Sequence, residues 1–294
     1  MFLKLFSPPI LIVSLLLSPT LCASQAVKPR PHSKAVAVLN PSDPKAQYEL
    51  GIRYHKGMGV ALNETSASKW IGKAADQGYA VAQAELGLRY VSGLGVAENV
   101  DTAMKWFRRA AEKGNAEGQF NLGLAYESGA GVETSEETAV LWYRKAVAQG
   151  HAFAQCNLGY MYQFGKGVTQ NDKTAVEWYS KAAEQGDATA MTSLALMYHK
   201  GEGVEKSASK AAFWYSKSAE KGDAHAQCNL AQLYLTGDGA PRNEKTAFQW
   251  FEKSAKQGYS QAQKSLGDMY RDGIGVSKDL KKSAEWFRKA EASN

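Results

Sequence analysis

One interval governs what this chain can fold into: 36 residues. The glycine pairs Gly57/Gly59, Gly93/Gly95, Gly129/Gly131, Gly165/Gly167, Gly201/Gly203, Gly237/Gly239 and Gly273/Gly275 advance by that step each time. So do Leu50, Leu86, Leu122, Leu158, Leu194, Leu230 and Leu266, and so do Tyr54, Tyr90, Tyr126, Tyr162, Tyr198, Tyr234 and Tyr270. All seven tryptophans, from Trp70 to Trp286, keep the same register, with no residue gained or lost between copies. A fixed period of this length is the signature of stacked supersecondary units, since one unit cannot bury its own apolar face.

Each copy reads as two helices. In the fourth, Ala154, Leu158 and Tyr162 recur at i, i+4 and i+8, one face of a helix beginning near Ala154. Gly159, or Ala195 and Ala231 elsewhere, leaves room for a second helix to approach. The glycine pair stops the first helix, because glycine accepts the positive φ of a C-terminal cap. Six residues after the first glycine stand Asn63, Asn99, Ser135, Asn171, Ser207, Asn243 and Asp279. Each can cap the next helix with its side chain. Ala175, Trp178 and Ala182 then form the expected buried face with Tyr179 beside it, and tryptophan and tyrosine are the expected wedges between layers. The expected fold is all-α, a right-handed α/α solenoid of seven 36-residue helix-turn-helix repeats: 46–81, 82–117, 118–153, 154–189, 190–225, 226–261 and 262–294.

The Gly-x-Gly element is architectural. Its central residue is Met, Leu, Ala, Lys, Glu, Asp or Ile, and one anion site would not vary its charge so. Gly165-Lys166-Gly167 lacks the Ser/Thr that a phosphate loop places after its lysine.

The first 45 residues stand outside the register. Residues 1–23 have the make-up of a secretory signal peptide: Lys4, an apolar run from Ile10 to Leu17, then small residues. That run is too short to span a bilayer. Residues 24–45 read as a basic, Pro-containing lead-in, with Ser42 and Pro44 starting the first helix. Secretion or a periplasmic location is therefore expected, as a monomer without a transmembrane segment. Net charge is +6, from 35 Lys and Arg against 29 Asp and Glu, interspersed along the chain. No basic stripe for nucleic acid stands out. The five histidines show no ligand spacing, so no metal or other cofactor is expected. Cys156 and Cys228 lie two repeats apart. Helices pack about 8–10 Å apart, beyond the roughly 7 Å that a disulfide spans, so both are expected as free thiols. Ser66-Ala67-Ser68-Lys69 and Ser207-Ala208-Ser209-Lys210 fit Ser-x-x-Lys, but the supporting strings of serine β-lactamases are absent. No catalytic residue is assigned.

The segment from Ala82 to Gly114 carries Ala82, Leu86, Gly87, Tyr90, Gly93, Gly95, Val96, Ala103, Trp106, Phe107, Ala110, Ala111 and Gly114. This pattern resembles the Sel1-like repeat family, a branch of the tetratricopeptide superfamily. The resemblance implies an adaptor that holds a protein or peptide partner, in envelope processes or host contact among others. A secreted subgroup is associated with β-lactam binding or hydrolysis. It carries a cysteine pair in each repeat, which this chain lacks, and this remains the alternative reading. In tetratricopeptide relatives the inner wall comes from the third, seventh and tenth places of the first helix, counted from its leading small residue. Carried over, these places select Ile52, Leu88, Phe120, Leu124, Tyr160 and Leu196 as the candidate partner-binding residues, centred on Phe120, Leu124 and Tyr160. Places one, five and nine are expected to be buried.

Overall fold

A computed structural model describes residues 42–292. The expected signal peptide (1–23) and nearly all of the lead-in (24–45) lie outside the described residues. Among the described residues there are 14 α-helices and no strand. Contacts divide the chain between His151 and Ala152 into two compact units.

The first unit holds three hairpins. These are α1 (Pro44–Lys56) with α2 (Glu64–Asp76), α3 (Ala80–Ser92) with α4 (Val100–Glu112), and α5 (Ala116–Ser128) with α6 (Glu136–Val147). The second unit holds four: α7 (Ala152–Phe164) with α8 (Asp172–Glu184), α9 (Ala188–Lys200) with α10 (Ala208–Glu220), α11 (Ala224–Thr236) with α12 (Glu244–Lys256), and α13 (Ser260–Asp272) with α14 (Leu280–Ala292). Within each unit every hairpin packs on the next, so each is a segment of an α/α solenoid. The first helix starts at Pro44, with Asp43 rather than Ser42 as its cap: the Asp43 carboxylate accepts from the Ala46 N–H at 2.8 Å.

Seven capping residues fasten each hairpin twice. The side chains of Asn63, Asn99, Ser135, Asn171, Ser207, Asn243 and Asp279 each accept from the N–H three residues on. Their own N–H groups donate to the carbonyls of Tyr54, Tyr90, Tyr126, Tyr162, Tyr198, Tyr234 and Tyr270 at 2.8–3.0 Å. One residue thus closes the second helix's open end and ties it to the first.

The glycine pair does more than stop a helix. Gly93 ends α3 in the left-handed region at φ 66°, as expected. Gly95, at φ 72°, also lies against the start of the previous repeat's second helix, where a Cβ would overlap the Glu64 carbonyl. Gly203, Gly239 and Gly275 meet Asp172, Ala208 and Glu244 in the same way. The glycine inside the first helix has the role expected of it. A Cβ at Gly87 would come within 2.5 Å of the Phe107 ring, and one at Gly159 within 2.9 Å of the Tyr179 ring.

Two expectations about the core need correction. The deep wedge is the residue after the tryptophan in the first six repeats: Ile71, Phe107, Tyr143, Tyr179, Tyr215 and Phe251 are buried, whereas the tryptophans, and Phe287 in the seventh repeat, are half-buried. Six of the seven indoles instead carry a cation from three residues on, at 3.8–4.7 Å: Lys73, Arg109, Lys145, Lys181, Lys253 and Lys289. The charged head of a lysine or arginine stays in water while its stem lies on apolar surface, which holds the indole beneath it at the rim, while a phenyl or phenol ring fills the narrower gap between helices. Place nine, expected buried, is half-buried in every repeat. The interior belongs to places one, five and eight, with Ala125, Met161, Met197, Leu233 and Met269 at place eight.

Candidate partner-binding face

The candidate residues lie on the first helices of the repeats: Ile52, Leu88, Phe120 and Leu124 in the first unit, Tyr160 and Leu196 in the second. Phe120 is the one that the structure removes from the surface. Its side chain is 5% exposed, stacked on the His151 ring at 4.7 Å and tilted against Tyr143 at 6.1 Å. The cause is general. Place three packs on the cap position of the following repeat, as Tyr48 does on Tyr79 with rings 5.6 Å apart. Thr192 Oγ1 donates to Asp223 at 3.1 Å, and the Cys156 thiol faces Asp187. Cys156 and Cys228 are free and buried. Burial pushes both thiols up, Cys228 to about 12 and Cys156 well above its ordinary value with the Asp187 charge adding to it, so neither offers a thiolate.

Place ten is taken up by a second contact in the second, third, fourth and sixth repeats. Where the wedge is a tyrosine, its hydroxyl needs a partner inside the hairpin. Tyr143 donates to Glu127 at 2.5 Å and Tyr179 to Gln163 at 2.9 Å. Where the wedge is a phenylalanine, place ten is apolar: Val91 joins the cluster of Phe107, and Leu235 that of Phe251.

Place seven is left. Ile52, Leu88 and Leu124 in the first unit, and Tyr160 and Leu196 in the second, are all half-buried. Three of them have one flank on the core: Ile52 against the cluster of Ile71 and Leu86, Leu88 against Met104 and Phe107, and Tyr160 against the cluster of Tyr179 and Leu194. Gln232 and Asp268 continue the same place in polar form.

Sequence reasoning missed a buried ion network beside this face. Arg89, 1% exposed, sits at place eight of the second repeat. Its Nη1 reaches Glu64 at 3.0 Å and its Nε reaches Glu85 at 3.2 Å, while His55 Nδ1 lies 2.9 Å from Glu64. Ser68, opposite Arg89, donates to the Leu94 carbonyl at 2.7 Å. The signal was available as a departure from the repeat, since most copies put an apolar residue at place eight. Buried glutamines were missed likewise: Gln77, Gln149, Gln185 and Gln257 donate to Gln47, Gln119, Gln155 and Gln227 at 2.7–2.9 Å.

A second pair lies at the end of the first unit. His151 Nε2 meets Glu117 at 3.1 Å. Burial opposes ionisation of Glu117, but the hydrogen bond and charge of His151, with Asn121 assisting, outweigh it and hold the carboxyl below its usual value. Of the two Ser-x-x-Lys strings, Ser207 is spent as a helix cap, its oxygen accepting from the Lys210 N–H. No helix among the described residues is long and apolar enough to cross a membrane.

Comparison with known proteins bears on this face. The Sel1 repeat profile matches residues 44–79, 80–115, 116–151, 152–187, 188–223, 224–259 and 260–294. The chain is similar to a protective antigen of uropathogenic Escherichia coli strains with an SLR fold, at 41% identity and a TM-score of 0.75. That match covers 85% of this chain and 54% of the antigen, so the chain spans about half of the antigen's length. It is also similar to a Sel1 repeat protein from Oxalobacter formigenes, at 38% identity and a TM-score of 0.74, covering 83% of this chain and 96% of that one. No curated protein matches the sequence.

Proposed function

The chain belongs to the Sel1 repeat family, and on that premise we propose that it is a non-catalytic scaffold holding a protein or peptide segment on its first-helix faces, outside the cytoplasm. The observation that carries this reading is place seven. Place three is largely spent on packing in the first six repeats and place ten in four of them, yet place seven keeps an apolar, half-exposed side chain in five successive repeats: Ile52, Leu88, Leu124, Tyr160 and Leu196. A row of half-exposed apolar side chains along each unit, Ile52, Leu88 and Leu124 on the first and Tyr160 and Leu196 on the second, supports an interaction face. The secreted or periplasmic location rests on the composition of residues 1–23. Similarity to a protective antigen supports contact with a host as the setting.

Partner capture tests the reading. Leu88→Ser, Leu124→Ser and Tyr160→Ser combined should abolish capture of a partner from periplasm, culture medium or host lysate while the melting curve stays cooperative. Full capture by a folded triple variant would sink the assignment. The hydrolase alternative has a cheap test of its own: purified protein should turn over nitrocefin no faster than buffer.

A further inference from the structure

The first repeat has a face that the others keep buried. Within each unit, places one, five and eight of a first helix pack on the second helix of the repeat before. Ala82 and Leu86 meet Ile71, Ala74 and Ala75, and Ala226, Leu230 and Leu233 meet Ala211, Tyr215 and Ala219. Place five is a leucine throughout. Leu86, Leu122, Leu158, Leu194, Leu230 and Leu266 are 0–4% exposed, whereas Leu50 is half-buried. At place eight, Arg53 is half-buried where Met161, Met197, Leu233 and Met269 are buried. The glycine loop agrees. Gly95, Gly203, Gly239 and Gly275 abut the second helix before them, while a Cβ at Gly59 would meet nothing within 4 Å. Met58 is 59% exposed, whereas Ile274 at its place packs on the cluster of Phe251. The Ala46–Leu50–Arg53 side of α1 is thus built for a neighbour like those that its counterparts have.

The chain just ahead of α1 fits that side. The longest apolar run within 24–41 is Ala35-Val36-Ala37-Val38-Leu39. Lys28, Arg30 and Lys34 all stand before it, so no charge falls between Ala35 and Ser42. Valines alternating with alanines favour extended chain, and Pro41 disfavours helix at Asn40. The distances match. Leu50 lies about 9 Å and Arg53 about 14 Å along α1 from Pro44, while an extended chain from Val36 to Asp43 spans about 23 Å. The run can therefore fold back over both side chains. Arg53 suits such a cover, because its stem is apolar and its guanidinium donates to the carbonyls that an extended segment leaves open. A tethered segment also acts at an effective concentration on the order of millimolar, an advantage that a separate chain lacks.

We propose that residues 35–39 are the end cap of the first unit, docking in extended form on the Ala46–Leu50–Arg53 side of α1 where later repeats receive a second helix. The proposal is independent of the partner-binding reading, since it concerns the side of α1 that faces along the stack. A stack with an open apolar end invites further stacking, and repeat proteins close their ends with capping elements.

Leu50→Cys in the full chain reads the cover directly, through its rate of alkylation by iodoacetamide followed by mass spectrometry of the peptide. Cys156 and Cys228 are buried and do not compete. Adding Val36→Ser, Val38→Ser and Leu39→Ser should speed alkylation roughly fivefold, as the thiol becomes accessible. An Ala61→Cys control, in an exposed loop, should react at one rate in both backgrounds. Amide exchange needs no cysteine and keeps the test decisive if Leu50→Cys unfolds. Exchange across α1 should quicken about tenfold in the triple serine variant while that of α11 stays unchanged. Equal alkylation in the two backgrounds, or α1 exchange that ignores the serines, would overturn the proposal. So would protection of Leu50→Cys that rises with protein concentration, which would put a second copy of the chain on this side.

Discussion

Gly59 and Gly95 hold the same backbone conformation, with φ of 74° and 72°, yet they answer to different constraints. A Cβ at Gly59 would meet nothing within 4 Å. Gly59→Ala should therefore cost only the left-handed strain, about 1–2 kcal/mol. At Gly95 the added methyl would collide with the Glu64 carbonyl, a backbone atom that a rotamer change cannot move. Gly95→Ala should cost a further ~1–3 kcal/mol of overpacking. Urea unfolding of the two variants measures the gap, and equal costs would show that the close approach is unimportant. Glu117 offers a titration at the same scale. Its folded carboxyl lies below the ordinary value of 4.5. Its contribution is thus complete above that value and is lost as pH falls below it. The stability difference between the wild-type chain and Glu117→Gln should narrow as pH falls from 6 to 3. Because the side chain is 45% exposed, the effect should stay below about 1 kcal/mol.

A hairpin is held by pairs of choices that must agree. Asn99 accepts from Thr102 and donates to the Tyr90 carbonyl, both at 2.8 Å. Asn99→Ala should cost about 1 kcal/mol through the lost side-chain cap, with the backbone tie to Tyr90 retained. Chemical denaturation would detect this, and a change of several kcal/mol would mean that the hairpin itself had come apart. The wedge and place ten form another such pair. Tyr143→Phe leaves Glu127 without its 2.5 Å donor and should destabilise by about 1–3 kcal/mol, as for hydrogen bonds to charged groups. Adding Glu127→Val copies the arrangement of Phe107 with Val91 in the second repeat. The double variant should recover most of the loss. A double-mutant cycle without coupling would reject the pairing.

In a repeat architecture, stability is close to a sum of units and nearest-neighbour interfaces. The second unit contains four complete hairpins with their own buried clusters around Tyr179, Tyr215 and Phe251. Residues 152–294 expressed alone should therefore fold to a helical chain with a cooperative thermal transition. A circular dichroism spectrum of a mostly disordered chain would show that the rest of the protein is needed. The Arg89 network sets the second repeat apart from its neighbours. A guanidinium with two carboxylates and a serine at 3.0–3.2 Å occupies the place where the fourth to seventh repeats put methionine or leucine. Such a buried arrangement is costly to break by removing one partner, and apolar replacement of the whole set is often neutral.

The 36-residue spacing determined, without any coordinates, that the chain is helical, where the first helix of each repeat stops and the second starts, and which seven residues cap the second helices; the first helices begin two residues before the expected leading small residue, as at Ala152 rather than Ala154. Those properties are local: a cap, a left-handed glycine and an i, i+4 stripe act within a few residues of themselves, so a linear string displays them. Periodicity could not rank burial among side chains that recur with the same interval. Trp142 and Tyr143 are adjacent and equally regular, and only the gap between packed helices decides that Tyr143 goes in while Trp142 stays at the rim under Lys145. The same holds for the candidate face. Phe120 and Leu124 stand on one helix at places that looked alike, but His151, at the end of the same repeat, covers the first, and the second stays half-exposed. Burial at such places depends on residues some 30 positions away, and it exists only once the hairpins have stacked.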